Sequence, residues 1–261
     1  MIKNISIDKI YQYLLITIAF FMPISVSLAN IAIVIIVLLW LLSGDYKSKY
    51  NQIINSKLLI ASIVFFGLHA ISLLWTEDLI WGLHIIHKMW YFLLLLPVFY
   101  TTTKKEHVDY YIYAFLLAIG ISEVCSYLVW FEIVPEFRHA SVSNPTVFMS
   151  HVSYNPILAF AIYLVCHEVF FNKDLSWFKF NFYSFFAMTM IINMFITGGR
   201  AGQVMFFAML AILIFQFFSA NKIRALLLIA LLIPLIFFSA YKTSEMFEYR
   251  VEGAIENFTN Y

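Results

Sequence analysis

The chain has 261 residues, of which 63% are hydrophobic and only 12% charged. A soluble domain carries about a quarter charged residues, so water is excluded as the solvent for most of this surface. A net charge of +1 provides no bulk field for nucleic acid or an acidic partner, and the two cysteines, Cys125 and Cys166, sit inside apolar runs rather than in a disulfide or metal framework. The N-terminus opens with Lys3, Asp8 and Lys9 and lacks the small-residue cleavage pattern of a signal peptide. Nine apolar runs follow in order: Tyr11 to Val26, Leu28 to Leu42, Leu58 to Trp75, Leu79 to Tyr100, Tyr110 to Trp130, Tyr154 to Phe171, Phe182 to Thr197, Gly202 to Ser219, and Ala225 to Tyr241. A spanning helix needs roughly 20 residues, with about 17 as a lower limit, and the first two runs are short and joined through Pro23 and Asn30. They are continuously apolar, without the alternation of barrel strands, and therefore predict helices.

The expected fold is all-α, a polytopic transmembrane helix bundle over residues 1–241. Lys and Arg placement sets its orientation, because cytoplasmic loops are enriched in both. With the N-terminus in the cytoplasm, 11 of the 16 cations fall on the cytoplasmic side, among them Lys47, Lys49, Lys57, Lys104, Lys105, Lys173 and Lys179. Arg138, Arg200, Lys242 and Arg250 fall on the opposite side, and Lys88 lies within a span. Nine spans beginning inside end outside, so residues 242–261 are expected to be a polar, partly helical periplasmic segment. They are expected to open a loop that Tyr261 interrupts. The localisation expected is a bacterial inner membrane, multi-pass, with the site facing the periplasm.

Ionisable groups inside or beside a membrane are costly unless paired or lining a cavity, and each is a functional candidate for that reason. Arg200 sits in Ile196-Thr197-Gly198-Gly199-Arg200-Ala201-Gly202, a small-residue turn between two spans. Glycine amides there can approach an anion, and the guanidinium offers a bidentate fork for phosphate. The plainer alternative is a tight turn whose arginine snorkels to headgroups. The long outer loop holds Glu136, Arg138, His139, Asn144 and Pro145, and ends at His151, with Ser150, Ser153, Tyr154 and Asn155 around it. That cluster has groups able to hydrogen-bond a sugar, and His151 can serve as a general base near neutral pH or simply as an interfacial hydrogen-bonding residue.

His84, His87 and Lys88 share one helical face, expected to point into the bundle. Two histidines with no evident third ligand make a poor metal site. Glu77 and Asp78 are placed to pair with Lys88 or Arg200. Glu123 needs a partner inside its span, with Tyr127 one turn away, and an interhelical hydrogen bond is its plainer role. No phosphate-binding loop, dinucleotide fingerprint, nucleophile elbow or zinc motif occurs, so neither metal nor cofactor is expected and any substrate must arrive already activated.

Three stretches together resemble the O-antigen ligase and O-antigen polymerase superfamily of bacterial envelope glycosyltransferases. Ser72-Leu73-Leu74-Trp75-Thr76-Glu77-Asp78, followed by Lys88 and Leu95-Leu96-Pro97, is similar to the family's third and fourth helices. Thr197-Gly198-Gly199-Arg200-Ala201-Gly202 resembles its Gly/Ser-Arg-Gly turn, with Ala201 in the usual glycine place. Arg250 to Tyr261 resembles the opening of its large periplasmic loop, whose essential histidine would lie beyond Tyr261. The resemblance implies transfer of a glycan from undecaprenyl-pyrophosphate to an acceptor hydroxyl, commonly on the lipid A core. Arg200 and His151 are then the catalytic candidates, with Lys88, Arg250, Arg138 and His84 as candidates for holding pyrophosphate or glycan. Membrane lipids are the further partners. Two alternatives remain beside the ligase: a polymerase of the same superfamily, and a small-anion transporter, against which stands the absence of an inverted repeat.

Overall fold

In the computed structural model the described residues are 6–138 and 140–259, with the side chains of 250 and 254–259 outside the description. The structure is 80% helical, and among the described residues there is no strand, only an isolated bridge between Ser141 and Asn144. Each of the nine apolar runs is helical. The helices are α1 (Ile7–Phe21), α2 (Val26–Leu42), α3 (Tyr46–Ile54), α4 (Lys57–Ser72), α5 (Leu79–Lys88), α6 (Leu96–Thr102), α7 (Val108–Trp130), α8 (His151–Phe171), α9 (Trp177–Ile196), α10 (Arg200–Phe217), α11 (Lys222–Thr243) and α12 (Glu245–Thr259).

Among the described residues, six stretches are long and apolar enough to cross a membrane: Lys57–Trp75, Leu79–Thr102, Lys105–Trp130, His151–Phe171, Arg200–Phe217 and Lys222–Thr243. A seventh is added if α2 and α3 form one bent span. The chain therefore has the build of a membrane protein. α1 and α2, at 15 and 17 residues, are shorter than this, reaching about 22 and 25 Å against a hydrocarbon core of ~30 Å. α9 is long enough at 20 residues, but Lys179, Asn181 and Asn193 dilute its apolarity.

The chain forms two compact units, residues 1–22 with 26–114, and residues 23–25 with 115–261. In the first, Tyr11, Leu15 and Ile18 of α1 pack with Ala32 and Ile36 of α2 and Val98 of α6. Gln12 is buried among them, which is tolerable because its amide is partnered throughout. Its Nε2 donates to the carbonyls of Asp8 (3.2 Å) and Thr102 (3.0 Å), and its Oε1 accepts from the Tyr111 hydroxyl. At the mouth of this cluster the Lys104 ammonium donates to the Asp8 carboxylate at 2.6 Å, which holds the lysine above its ordinary pKa. The span from Leu79 to Thr102 is interrupted after Lys88 and contains a π-helical turn, Tyr91–Leu95, ahead of Pro97. Proline removes the donor that would close the preceding turn. Ser62 of α4 donates to the Phe92 carbonyl at 2.5 Å and so satisfies an acceptor in the irregular stretch.

In the second unit α8 lies along α10 and α9, and α11 packs on α10. α12 turns back after Ser244, whose hydroxyl donates to the Phe195 carbonyl at the end of α9 (2.6 Å). Phe247 is buried there, edge-on to Phe195 and Phe237. The loop between α7 and α8 is held by Ala140 and Val147 against Val129. The C-terminal ends of α7, α9 and α11 thus meet the N-terminal ends of α8, α10 and α12 at one end of this unit.

Candidate functional site

That end is organised around the turn Thr197-Gly198-Gly199 between α9 and α10. Thr197, Gly198 and Gly199 are all buried, and three amide side chains hold the turn. Asn155, fully buried on α8, accepts from the Thr197 hydroxyl (2.8 Å) and donates to the Gly199 carbonyl (3.4 Å). Gln203 donates to the Thr197 carbonyl (3.3 Å), and Asn144 accepts from the Gly198 amide (3.4 Å). The glycines are required by proximity. A Cβ on Gly199 would stand 2.5 Å from the His151 carbonyl oxygen, and one on Gly202 would stand 2.2 Å from Asn155 Cβ. Gly198 therefore does not offer its amide to an anion as its sequence suggests, because Asn144 already uses it.

Arg200 is the first residue of α10, exposed, and without an ion pair among the described residues. One guanidinium nitrogen, Nη2, lies 3.2 Å from where a Cβ on Gly253 of α12 would be. Arg250 precedes Gly253 by one helical turn, and its side chain is outside the description. The structure thus brings Arg200 to the segment of α12 that carries the second expected cation. His151 opens α8, and its Nδ1 is 2.9 Å from Asn144 Nδ2. Because Asn144 Oδ1 is turned to the Gly198 amide, its Nδ2 donates to His151, and a neutral ring so bound carries its proton on Nε2. A base role at Nδ1 requires Asn144 to let go first.

Arg138 has a left-handed backbone (φ 56°) and stands over the Phe148 ring at 5.6 Å. His139 lies outside the described residues. His84, His87 and Lys88 belong to the first unit and are all exposed, so within that unit the stripe is not turned inward. Asp78 caps α5, accepting from the Trp81 amide at 2.9 Å, and neither it nor Glu77 forms an ion pair among the described residues. No group of three or more His, Cys, Asp or Glu side chains able to hold a metal occurs among the described residues.

The polar cluster expected around His151 divides in two. Ser150 and Ser153 are exposed, whereas Tyr154 and Asn155 are buried and hold the bundle together. Beneath the turn, Tyr154 donates to Asn193 Oδ1 (3.1 Å), and Asn193 Nδ2 donates to Ser126 (2.8 Å). Asn193 also connects upward, its carbonyl accepting from the Thr197 hydroxyl at 3.0 Å. Glu123 is buried beside this column, one carboxylate oxygen having no hydrogen-bond partner. Its expected partner, Tyr127, donates instead to the Thr189 carbonyl at 2.7 Å. Asn193 and Gln203 were not among the sequence candidates. The signal was present, since an amide inside an apolar span must find partners, and each lies four residues from the turn it supports.

Next to the turn, through Ile196, opens a cleft of about 800 Å³. Its walls carry the rings of Trp130 and Tyr249, the carboxylates of Glu136 and Glu245, and the hydroxyls of Ser143 and Thr243. Glu136 also accepts from the Val142 amide at 3.0 Å, which shapes the rim. Rings together with carboxylates and hydroxyls suit a polyhydroxylated, uncharged ligand: apolar C–H faces meet the rings, and hydroxyl groups find acceptors. Among the described residues, neither Arg200 nor any other cation lines it. Against protein-family models, curated proteins and solved structures alike, the chain finds no match.

Proposed function

We propose that the chain is a membrane glycosyltransferase of the O-antigen ligase type, moving a glycan from undecaprenyl-pyrophosphate to an acceptor hydroxyl, on the lipid A core, at the periplasmic face of the inner membrane. The observation that carries this reading is the pairing of Arg200, at the N-terminus of α10 on a clamped glycine turn, with the aromatic and acidic cleft that adjoins the same turn. Phosphoryl oxygens suit the first, which adds a guanidinium to the positive end of a helix dipole. Sugar hydroxyls suit the second. In the proposed reaction the acceptor oxygen bonds to the anomeric carbon as the carbon–oxygen bond to pyrophosphate breaks. The acceptor's hydroxyl proton passes to His151 Nδ1 once Asn144 has released it, and Arg200 stabilises the charge that gathers on the leaving group, with Arg250 adding to the field. The eleven cations assigned to the cytoplasmic side support the periplasmic placement of this end.

The test is glycan transfer in membranes expressing the wild-type gene or its Arg200 variants, scored on the lipid A core and on the carrier. Arg200→Ala is expected to lower transfer by roughly 100- to 1000-fold, the usual loss on removing one donor to a developing anion, with membrane abundance unchanged. Arg200→Lys restores little, because a point charge lacks the planar fork. Wild-type rates in both variants refute the assignment. Glycan lengthened on the carrier, with none on the lipid A core, identifies a polymerase instead.

A further inference from the structure

The sequence gives no hint of α3, a nine-residue polar helix, Tyr46–Ile54, between two apolar ones. It leaves α2 at 112°, and the bend is built rather than incidental. Gly44 and Asp45 both adopt left-handed backbone (φ 71° and 51°), which reverses the chain. Lys49 then reaches back, donating to the Trp40 carbonyl and to Ser43 Oγ (2.8 Å), with its ammonium 4.7 Å from the Trp40 ring centre. The Tyr46 hydroxyl donates to the Leu41 carbonyl. Two side chains of α3 thus satisfy carbonyls at the end of α2 that have no donor within that helix.

Its position relative to the bilayer follows from the element after it. α4 starts at Lys57, three residues beyond the end of α3, and opens a stretch able to cross the membrane. α3 therefore lies at the boundary where that span begins, and Lys47, Lys49, Asn51 and Gln52 make it too polar to enter the hydrocarbon. Its outward surface is two-sided. Tyr46, Tyr50 and Ile54, at i, i+4 and i+8, form one stripe and are 61%, 63% and 42% exposed. Lys47 and Asn51 form the neighbouring exposed stripe, while Lys49 and Ile53 are half-buried.

We propose that α3 is an in-plane membrane anchor whose partner is a bilayer surface bearing anionic headgroups. The Tyr46–Tyr50–Ile54 stripe enters the boundary between headgroups and acyl chains, where tyrosine rings are favoured, and Lys47 and Lys57 engage lipid phosphates. Lys49 takes no part in this, being committed to α2, and Asp45 is the one acid on the element's flank. The cost of leaving the apolar ring surface of two exposed tyrosines in water is thereby removed, and the bend holds the helix flat.

Spin labels on single cysteines test this in the full chain, with Cys125→Ser and Cys166→Ser as background, in nanodiscs of phosphatidylcholine alone or mixed with phosphatidylglycerol. Labels on Tyr46→Cys, Tyr50→Cys and Ile54→Cys should be severalfold more accessible to oxygen than to a water-soluble nickel chelate. Labels on Lys47→Cys and Asn51→Cys should show the reverse. Phosphatidylglycerol should draw the Tyr50→Cys label deeper, and Lys47→Gln with Lys57→Gln should abolish that change. Equal nickel accessibility along the helix means that α3 stands off the bilayer and overturns the proposal. Alternation without any response to phosphatidylglycerol overturns the recognition of anionic headgroups.

Discussion

Substituting Gly202 by alanine is the sharpest available perturbation of the second unit. The new methyl would stand 2.2 Å from Asn155 Cβ and 2.3 Å from the Asn155 carbonyl carbon. Carbon atoms settle at about 3.5–4.0 Å, so α8 and α10 must part by roughly an ångström or more. No rotamer relieves the clash, since one of the atoms met is backbone. Overpacking of this kind costs about 1–3 kcal/mol. Moving α8 also draws Asn155 away from the Thr197 hydroxyl, now 2.8 Å distant, and a buried polar group left unpaired costs about 1–3 kcal/mol more. A loss near 3 kcal/mol corresponds to about a 100-fold shift toward unfolding, at 1.4 kcal/mol per decade. The assay is reversible unfolding in micelles, with Gly67→Ala in α4 as its control. No atom lies within 4 Å of a Cβ at Gly67, so that change should be neutral or stabilise by about 0.5–1 kcal/mol through helix propensity. Equal stability of the two variants would refute the reasoning that close approach, rather than flexibility, fixes Gly202.

Asn155→Ala removes one acceptor of the Thr197 hydroxyl, which keeps the Asn193 carbonyl, and one donor to the Gly199 carbonyl, which keeps the Gln203 amide, a loss of about 0.5–1.5 kcal/mol for each bond. Amide hydrogen exchange over residues 197–203 should accelerate, and unchanged protection would show that the clamp does not hold the turn. Glu123→Gln keeps the shape of a buried side chain with an unpartnered oxygen while removing an ionisable group from an apolar interior. The variant should melt at the same temperature or higher, and a clear fall in Tm would mean that the carboxyl makes an interaction the amide cannot. Cysteines replacing Lys47 and Lys105 should resist a membrane-impermeant thiol reagent in spheroplasts. Strong labelling would reverse the proposed orientation.

The helical runs were legible because a bilayer demands long, uninterrupted apolar stretches and the sequence supplies them from Tyr11 to Tyr241. What escaped was polar. α3 has no apolar run to announce it, and the break after Lys88 depends on a π turn that Pro97 alone does not specify. The site was half legible. The small residues of the turn marked a place of close approach, yet their partners, Asn155 and Gln203, come from spacing along helices whose pairing no single sequence reveals. The same limit explains Glu123 and Tyr127. They are one turn apart on α7, but the Tyr127 hydroxyl finds a carbonyl on α9 instead. His84, His87 and Lys88 share a helix face as their spacing requires, and spacing cannot say whether that face is covered.

On the proposed reading, the separation of charge at the end of the second unit is itself informative. Arg200 is reached through the turn, whereas the cleft begins at Ile196, four residues earlier, and carries Glu136 and Glu245. A pyrophosphate placed among those carboxylates would be repelled, since like charges at 4 Å cost about 1 kcal/mol in water and about 4 kcal/mol near a protein surface. A neutral glycan beside Arg200 alone would leave the carboxylates and rings unused. A ligand with an anionic end and a polyhydroxylated end satisfies both halves, provided that the junction between them lies over the turn. A carrier-linked sugar has that form, its anomeric carbon being the atom at the junction and the one at which transfer occurs. The rigidity of Thr197-Gly198-Gly199, held by Asn144, Asn155 and Gln203, then has a chemical use: it fixes the guanidinium relative to the cleft, so that the bond to be broken is presented in one geometry.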